Sequence, residues 1–153
     1  NAFNNPGAPV EQDPPQTFNA PDGVNDNYMG GSGDDTFVAG TGKDNFAGGG
    51  GADKFVFTLG EGSTGGGLGG WQATLAGNNF DGVGDFNRGQ GDKIKIFDTD
   101  GTTALGNPFS GGSPVLTSAV FMGMGVVYKT GTDEVIFATM GPETFTDADV
   151  TIA

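Results

Sequence analysis

Residues 30–56 limit what this chain can fold into more than any other stretch. Read in nines they are GGSGDDTFV, AGTGKDNFA and GGGGADKFV, three copies in direct tandem. Each copy carries Gly or Ala first, Gly second and fourth, Asp sixth and Phe eighth. In the first copy, Gly30, Gly31 and Gly33 free the backbone for positive φ and a tight turn. Such a turn points its carbonyl oxygens at one spot, and Asp35 adds a carboxylate there. The next three residues, Thr36 to Val38, then read as a short strand. Alternate strand side chains face opposite ways, so Phe37 points inward while Thr36 and Val38 point out. A flexible Gly-rich segment would not keep glycines, aspartates and aromatics in one phase.

A turn plus a strand is half of one coil, and successive nonapeptides place their turns on opposite edges. The first and third copies then stack, with Asp35 above Asp53. Nine residues before Gly30 lies PDGVNDNYM, residues 21–29, which keeps Asp26 sixth and Tyr28 eighth. Its glycines are degraded, and it reads as a capping copy that pairs Asp26 with Asp44. Tyr28 and Phe46 would line one small sheet, and Phe37 and Phe55 the facing one. Carboxylate and carbonyl oxygens suit Ca²⁺, a hard cation with six to eight oxygen ligands at roughly 2.3–2.6 Å. Two sites are expected, one between Asp35 and Asp53 and one between Asp26 and Asp44. Further oxygens would come from Gly30, Ser32 and Gly33, from Gly40, Thr41 and Gly42, and from Gly49, Gly50 and Gly51.

The nonapeptide resembles the calcium-binding repeat of RTX (repeats-in-toxin) proteins. A second stretch, FDGVGDFNRGQGDKIKIFD at 80–98, resembles the segment after the roll in serralysin-type secreted proteases. That resemblance makes Asp81 a ligand candidate at the end of the roll, with Asp85 a further one. It implies an all-β fold, a short parallel β-roll of calcium-binding repeats followed by an antiparallel β-sheet or sandwich. The expected organisation is a Pro-rich N-terminal segment at 1–20, the roll at 21–57, a Gly-rich loop at 58–79 and an antiparallel region at 80–153.

The chain has 19 acidic against 6 basic residues, a net charge of −13. Nucleic acid and anionic membranes, which need basic patches, are unexpected partners. No apolar run is long enough to span a membrane. Without cations the stacked aspartates would repel one another in a chain already costly in glycine entropy, so metal binding should be coupled to folding. With no cysteine and no histidine, thiolate chemistry and the usual general base are missing. Ser32, Ser63, Ser110, Ser113 and Ser118 have no evident base to activate them. No catalysis is expected.

Elsewhere the sequence is less specific. Phe3, Val10 and Phe18 are the apolar groups of the N-terminal segment, able to pack on this chain or on a neighbouring copy. Trp71 in the Gly-rich loop reads as a local anchor. Lys93 to Phe97 alternates as a half-buried strand with Ile94 and Ile96 inward. Asp98-Thr99-Asp100-Gly101 reads as a turn. GVVYK at 125–129 and EVIFA at 134–138 flank TGTD as a hairpin. No basic-then-apolar leader opens the sequence, which reads as a processed product or part of something longer. The end, Asp149 to Ala153, resembles an uncleaved C-terminal signal for type I secretion and also reads as a last strand. Two functions follow. One is a secreted, calcium-folded structural protein that self-assembles through the N-terminal segment or strand edges. The other is a C-terminal module of a larger secreted enzyme (protease, lipase or alginate epimerase) or toxin.

Overall fold

A computed structural model describes residues 13–62, 72, 75–76, 80–132 and 134–153. Phe3, Val10 and Trp71 lie outside the described residues. The fold is all-β, with ten strands in two sheets. The strands are β1 (Thr17–Asn19), β2 (Asn27–Met29), β3 (Thr36–Val38), β4 (Asn45–Ala47), β5 (Lys54–Thr58), β6 (Gly82–Val83), β7 (Lys93–Phe97), β8 (Leu116–Phe121), β9 (Met124–Lys129) and β10 (Val135–Thr139). The first sheet runs β1-β3-β5-β7 and the second β2-β4-β6-β10-β9-β8. The first seven strands alternate between the sheets, as tandem half-coils require, and pair in parallel.

The nonapeptide phase sets the register. Thr36 pairs with Lys54 and Asn27 with Asn45, each one coil apart. The roll also extends one strand earlier than residue 21. Thr17 pairs with Thr36 and Phe18 with Phe37, one residue out of phase. The extra residue falls between β1 and β2, so counting back in nines from Tyr28 reaches Asn19 and misses Phe18. Pro14 also stands where the repeats carry Gly33, Gly42 and Gly51.

The rings form the expected core. Phe37, Phe46 and Phe55 are buried. Phe37 stacks on Phe18 at 5.0 Å and on Phe55 at 5.3 Å, and it meets Phe46 across the sheets at 5.4 Å. Each buried Phe contributes about 1.5–3 kcal/mol, and an aromatic pair about 0.5–1.5 more. Ile94 and Ile96 continue the interior in β7. The antiparallel region is not a separate sandwich, because β10 pairs in parallel with β6 and so prolongs the second sheet. β9 pairs antiparallel with both β10 and β8. All five residues of β10 are buried, since Leu75 covers Val126, Val135 and Ala138 on the outer face. A strand covered on both faces reads as a continuous apolar run, as VIFA does. Glu134 accepts from Gly60 N and Gly62 N, each at 2.8 Å, and ties the turn after β5 to β10. No helix among the described residues is long and apolar enough to cross a membrane.

Candidate metal centre

Each half-coil turn ends in an aspartate just before its strand, and the parallel register stacks these aspartates into two ladders. On one edge Asp35 N donates to Asp53 Oδ1 and Asp53 N to Asp92 Oδ1, both at 2.9 Å. On the other edge Asp26 N donates to Asp44 Oδ1 at 3.1 Å, and Asp44 N to Asp81 Oδ1 at 2.8 Å. Asp35, Asp44, Asp53, Asp81 and Asp92 thus each receive an amide of the coil before, that of Gln16 in the case of Asp35. Asp35, Asp44, Asp53, Asp81 and Asp92 are all at most 3 % exposed.

The second oxygens are treated differently. Asp35 Oδ2 accepts from Gly31 N at 3.1 Å, Asp44 Oδ2 from Gly40 N at 3.3 Å and Asp92 Oδ2 from Asn87 N at 2.8 Å. Asp26 Oδ2 and Asp53 Oδ2 are buried with no hydrogen-bond partner. An orphaned anionic oxygen inside a protein is costly unless something neutralises it.

The glycines shape the space around these oxygens. The expectation of positive φ fails at Gly30, Gly31 and Gly33 but holds at Gly42, Gly49 and Gly51. What the first copy needs instead is the missing Cβ. A Cβ at Gly30 would collide with both Asp35 Oδ2 and Gly48 O, so those two oxygens converge on one spot. A Cβ at Gly49 would collide with Gly31 O. On the other edge a Cβ at Gly42, φ +111°, would lie 2.5 Å from Val24 O. No three acidic side chains converge on a common metal position among the described residues. A cation here would therefore draw largely on backbone carbonyls with one or two carboxylates, an all-oxygen set that fits a hard divalent ion.

Other candidate residues take varied places. Asp81 completes the second ladder. Asp85 accepts from Gly48 N and Gly49 N with its two oxygens, both at 2.8 Å, and clamps that turn. Ser32 is engaged in a reciprocal clip: Asp13 N donates to its Oγ, and its own amide donates to Asp13 Oδ2. Thr41 repeats this with Gly23 N and Asp22 Oδ1. Gly50 N donates to Gly31 O, and Gly51 supplies the turn that leads into Asp53. Sequence reasoning missed Asp92, Asp13, Asp22 and Gly48, and it named Gly31 only as part of the turn. Asp92 sits in the quoted GQGDKI, but the 58–79 excursion breaks the nine-residue count before it.

Burial is the main force on the ladder carboxyls. Asp53 is pushed up to about 6 by desolvation, with Asp92, Asp35 and Asp85 adding like charge against the amide bond from Asp35. Asp81 is pushed up to about 7 by desolvation, with Asp44 and Glu61 adding like charge. Asp44 and Asp92 shift upward for the same first reason. Between the unfolded value and these raised values the metal-free folded state binds more protons than the unfolded chain, so its stability falls as pH rises. Metal-free protein should therefore melt higher at pH 5 than at pH 8. Calcium affinity should change the opposite way, since protons compete for the same oxygens. Melts in chelator and in calcium at both pH values check this, and equal metal-free melts would refute it.

No family model matches this sequence, and neither does any curated protein. Among solved structures the fold is similar to the solution structure of the AlgE6R3 subunit from the Azotobacter vinelandii mannuronan C5-epimerase. The TM-score is 0.51 at 22 % identity, covering 94 % of this chain and 81 % of that one. The likeness is one of fold. It agrees with parallel sheets and stacked aspartates in assigning an RTX-type β-roll.

Proposed function

We propose that the chain is a secreted, non-catalytic structural β-roll whose folding is driven by calcium. One observation carries this reading: buried aspartate ladders in which Asp26 Oδ2 and Asp53 Oδ2 have no donor. On the first edge Asp35 and Asp53 would hold an ion with oxygens of Gly30, Ser32, Gly33, Gly49, Gly50 and Gly51, and Gly31, Gly48 and Asp92 join that set. On the second edge the holders would be Asp26 and Asp44 with Gly40, Thr41 and Gly42, and Asp81 and Asp85 extend the sites at the end of the roll. Calcium supplies the positive charge that lets these carboxylates be buried close together. The rest is the chain's own work: glycines admit the oxygens, the rings close the interior, and the amides fix each carboxylate's direction. Cytosolic calcium is too low to fill sites of extracellular-module affinity, about 10⁻⁴–10⁻³ M. The chain would then stay threadable inside, with 149–153 as an export signal, and set outside the cell.

Calcium titration by circular dichroism tests this. The chain should be only marginally stable in chelator and fold cooperatively as calcium approaches millimolar. A protein equally compact after exhaustive chelation would end the proposal. A second reading, an appended module of a larger secreted enzyme, is favoured by the likeness to a subunit of a C5-epimerase. A catalytic domain encoded upstream of Asn1 would decide for it.

A further inference from the structure

The second sheet has two free ends among the described residues, β2 and β8. The first sheet differs at its far end, where Ile94 bridges Val150 and Phe97 bridges Ala104, so the chain's own C-terminal region stops β7. At β2, Gly30 N donates to Ala47 O and Asn45 N to Asp26 O. Residues 26, 28 and 30 therefore turn their backbone groups toward β4, and Asn27 and Met29 turn theirs to the open side. At β8, Thr130 N donates to Val115 O on the β9 side, while Leu116 N donates the other way, to Pro108 O. Backbone directions alternate along an antiparallel strand. Ser118 and Val120 thus face away from β9. Each edge offers two outward residues, two positions apart.

Apart from the Pro108 carbonyl on Leu116 N and the Phe145 carbonyl on Ser118 Oγ, neither edge carries the usual defences. Exposed edges are normally blunted by charge, proline or burial. Residues 115–128 contain no charged residue and no proline, and neither does β2, in a chain with a net charge of −13. Apolar side chains flank both edges: Val120 is 50 % exposed, Met122 72 % and Met29 79 %. The second sheet is thus uncharged at both of its ends in an otherwise polyanionic molecule.

We propose that β8 of one copy adds to β2 of the next, joining the second sheets head to tail. The occupant is a second copy because the two edges match in backbone spacing and neutrality, and every copy carries both. They lie at opposite ends of one sheet, so the contact is heterologous and grows as an open chain rather than closing on a twofold axis. A three-residue β2 limits each junction to a few hydrogen bonds, which makes growth dependent on concentration. The proposal rests on the calcium-folded roll only in requiring that β2 be formed.

Sedimentation velocity and negative-stain imaging in millimolar calcium test it with Val120→Lys, which charges the β8 end, and Met29→Lys, which charges the β2 end. Wild type should form linear assemblies that lengthen with protein concentration. Each variant alone should stay monomeric, with the calcium-induced circular dichroism of wild type. Mixed, the two should give one-to-one dimers and nothing longer, since one free edge of each kind remains. Wild type that stays monomeric at every concentration, variants that still polymerise, or a mixture without dimers would each overturn the proposal. A wild type whose circular dichroism ignores calcium would instead count against the calcium reading, so the two failures are distinguishable.

Discussion

Replacing Asp53 by Asn is expected to raise the calcium concentration at the folding midpoint about tenfold, equivalent to about 1.4 kcal/mol of lost binding linkage. The same change should stabilise the metal-free form. Asp53 sits in the middle of its ladder, between Asp35 and Asp92, and is 1 % exposed. Asparagine keeps an oxygen for the amide of Asp35 but removes a charge whose burial, with the like charges of Asp92 and Asp35, pushes this carboxyl's pKa up to about 6. With no ion present, that charge opposes folding; with an ion, it is the binding determinant. Opposite signs in chelator and in calcium are thus the signature of a ligand, whereas a residue with only a packing role would move both melts the same way. Thermal melts of both proteins in chelator and at saturating calcium decide the matter. A loss of stability in chelator would contradict the assignment.

Arg88→Ala should cost about 2–3 kcal/mol at pH 7 in saturating calcium. Arg88 opens a short 3₁₀ turn at Arg88–Gln90, capped by the Asn87 side chain, in the last turn of the roll. Its guanidinium reaches Asp149 through Nε at 2.5 Å and Nη2 at 2.8 Å, Glu143 at 3.0 Å and the carbonyl of Thr144 at 3.1 Å. Asp149 is fully buried, and desolvation raises its carboxyl, but the bonds from Arg88 and the Thr146 amide outweigh that and hold it below its usual value. Removing the partner of a buried charge costs about 3–5 kcal/mol. The half-exposed guanidinium puts this pair at or below the low end, since its outer side is screened. Lysine should not restore the loss, because it lacks the planar fork that grips two oxygens. Denaturant melts at saturating calcium measure this. A change under about 0.5 kcal/mol, the range of ordinary surface substitutions, would show that the C-terminal region docks by other means.

What could be read from the sequence follows from which contacts are periodic. Asp26, Asp35, Asp44 and Asp53, the four core rings, the alternation of β7 and the β9–β10 hairpin all repeat at a fixed spacing or lie close together. Asp92 and Phe18 obey the same register in space. In sequence, an inserted excursion and a single extra residue hide them. The clips at Ser32 and Thr41 depend on Asp13 and Asp22 in turns whose glycines have been lost, so no motif marked them. Arg88 and Asp149 are 61 positions apart, and a lone ion pair at that distance leaves no pattern. Glycine was legible as a requirement but not in its reason, since the first copy needs room for oxygens where the later copies need left-handed turns.

The ladder bonds all point the same way along the chain. In the ladders an aspartate of a later coil satisfies an amide of the coil before it, whereas in the clips Asp13, Asp22 and Asp34 of an earlier coil accept the amides of Ser32, Thr41 and Ala52. A coil near the N-terminus is therefore unfinished until its successor is in place. The last coil has no coil after it: Asn87 N fills Asp92 Oδ2 locally, and Arg88 staples the turn to Asp149 in the C-terminal region. This gives the roll a polarity. The C-terminal coil is accordingly expected to order first, with order spreading toward residue 13. Trimming strands from the front should cost the remainder only the clips that Asp13, Asp22 and Asp34 make, while losing the C-terminal region would strip the anchor from the last turn.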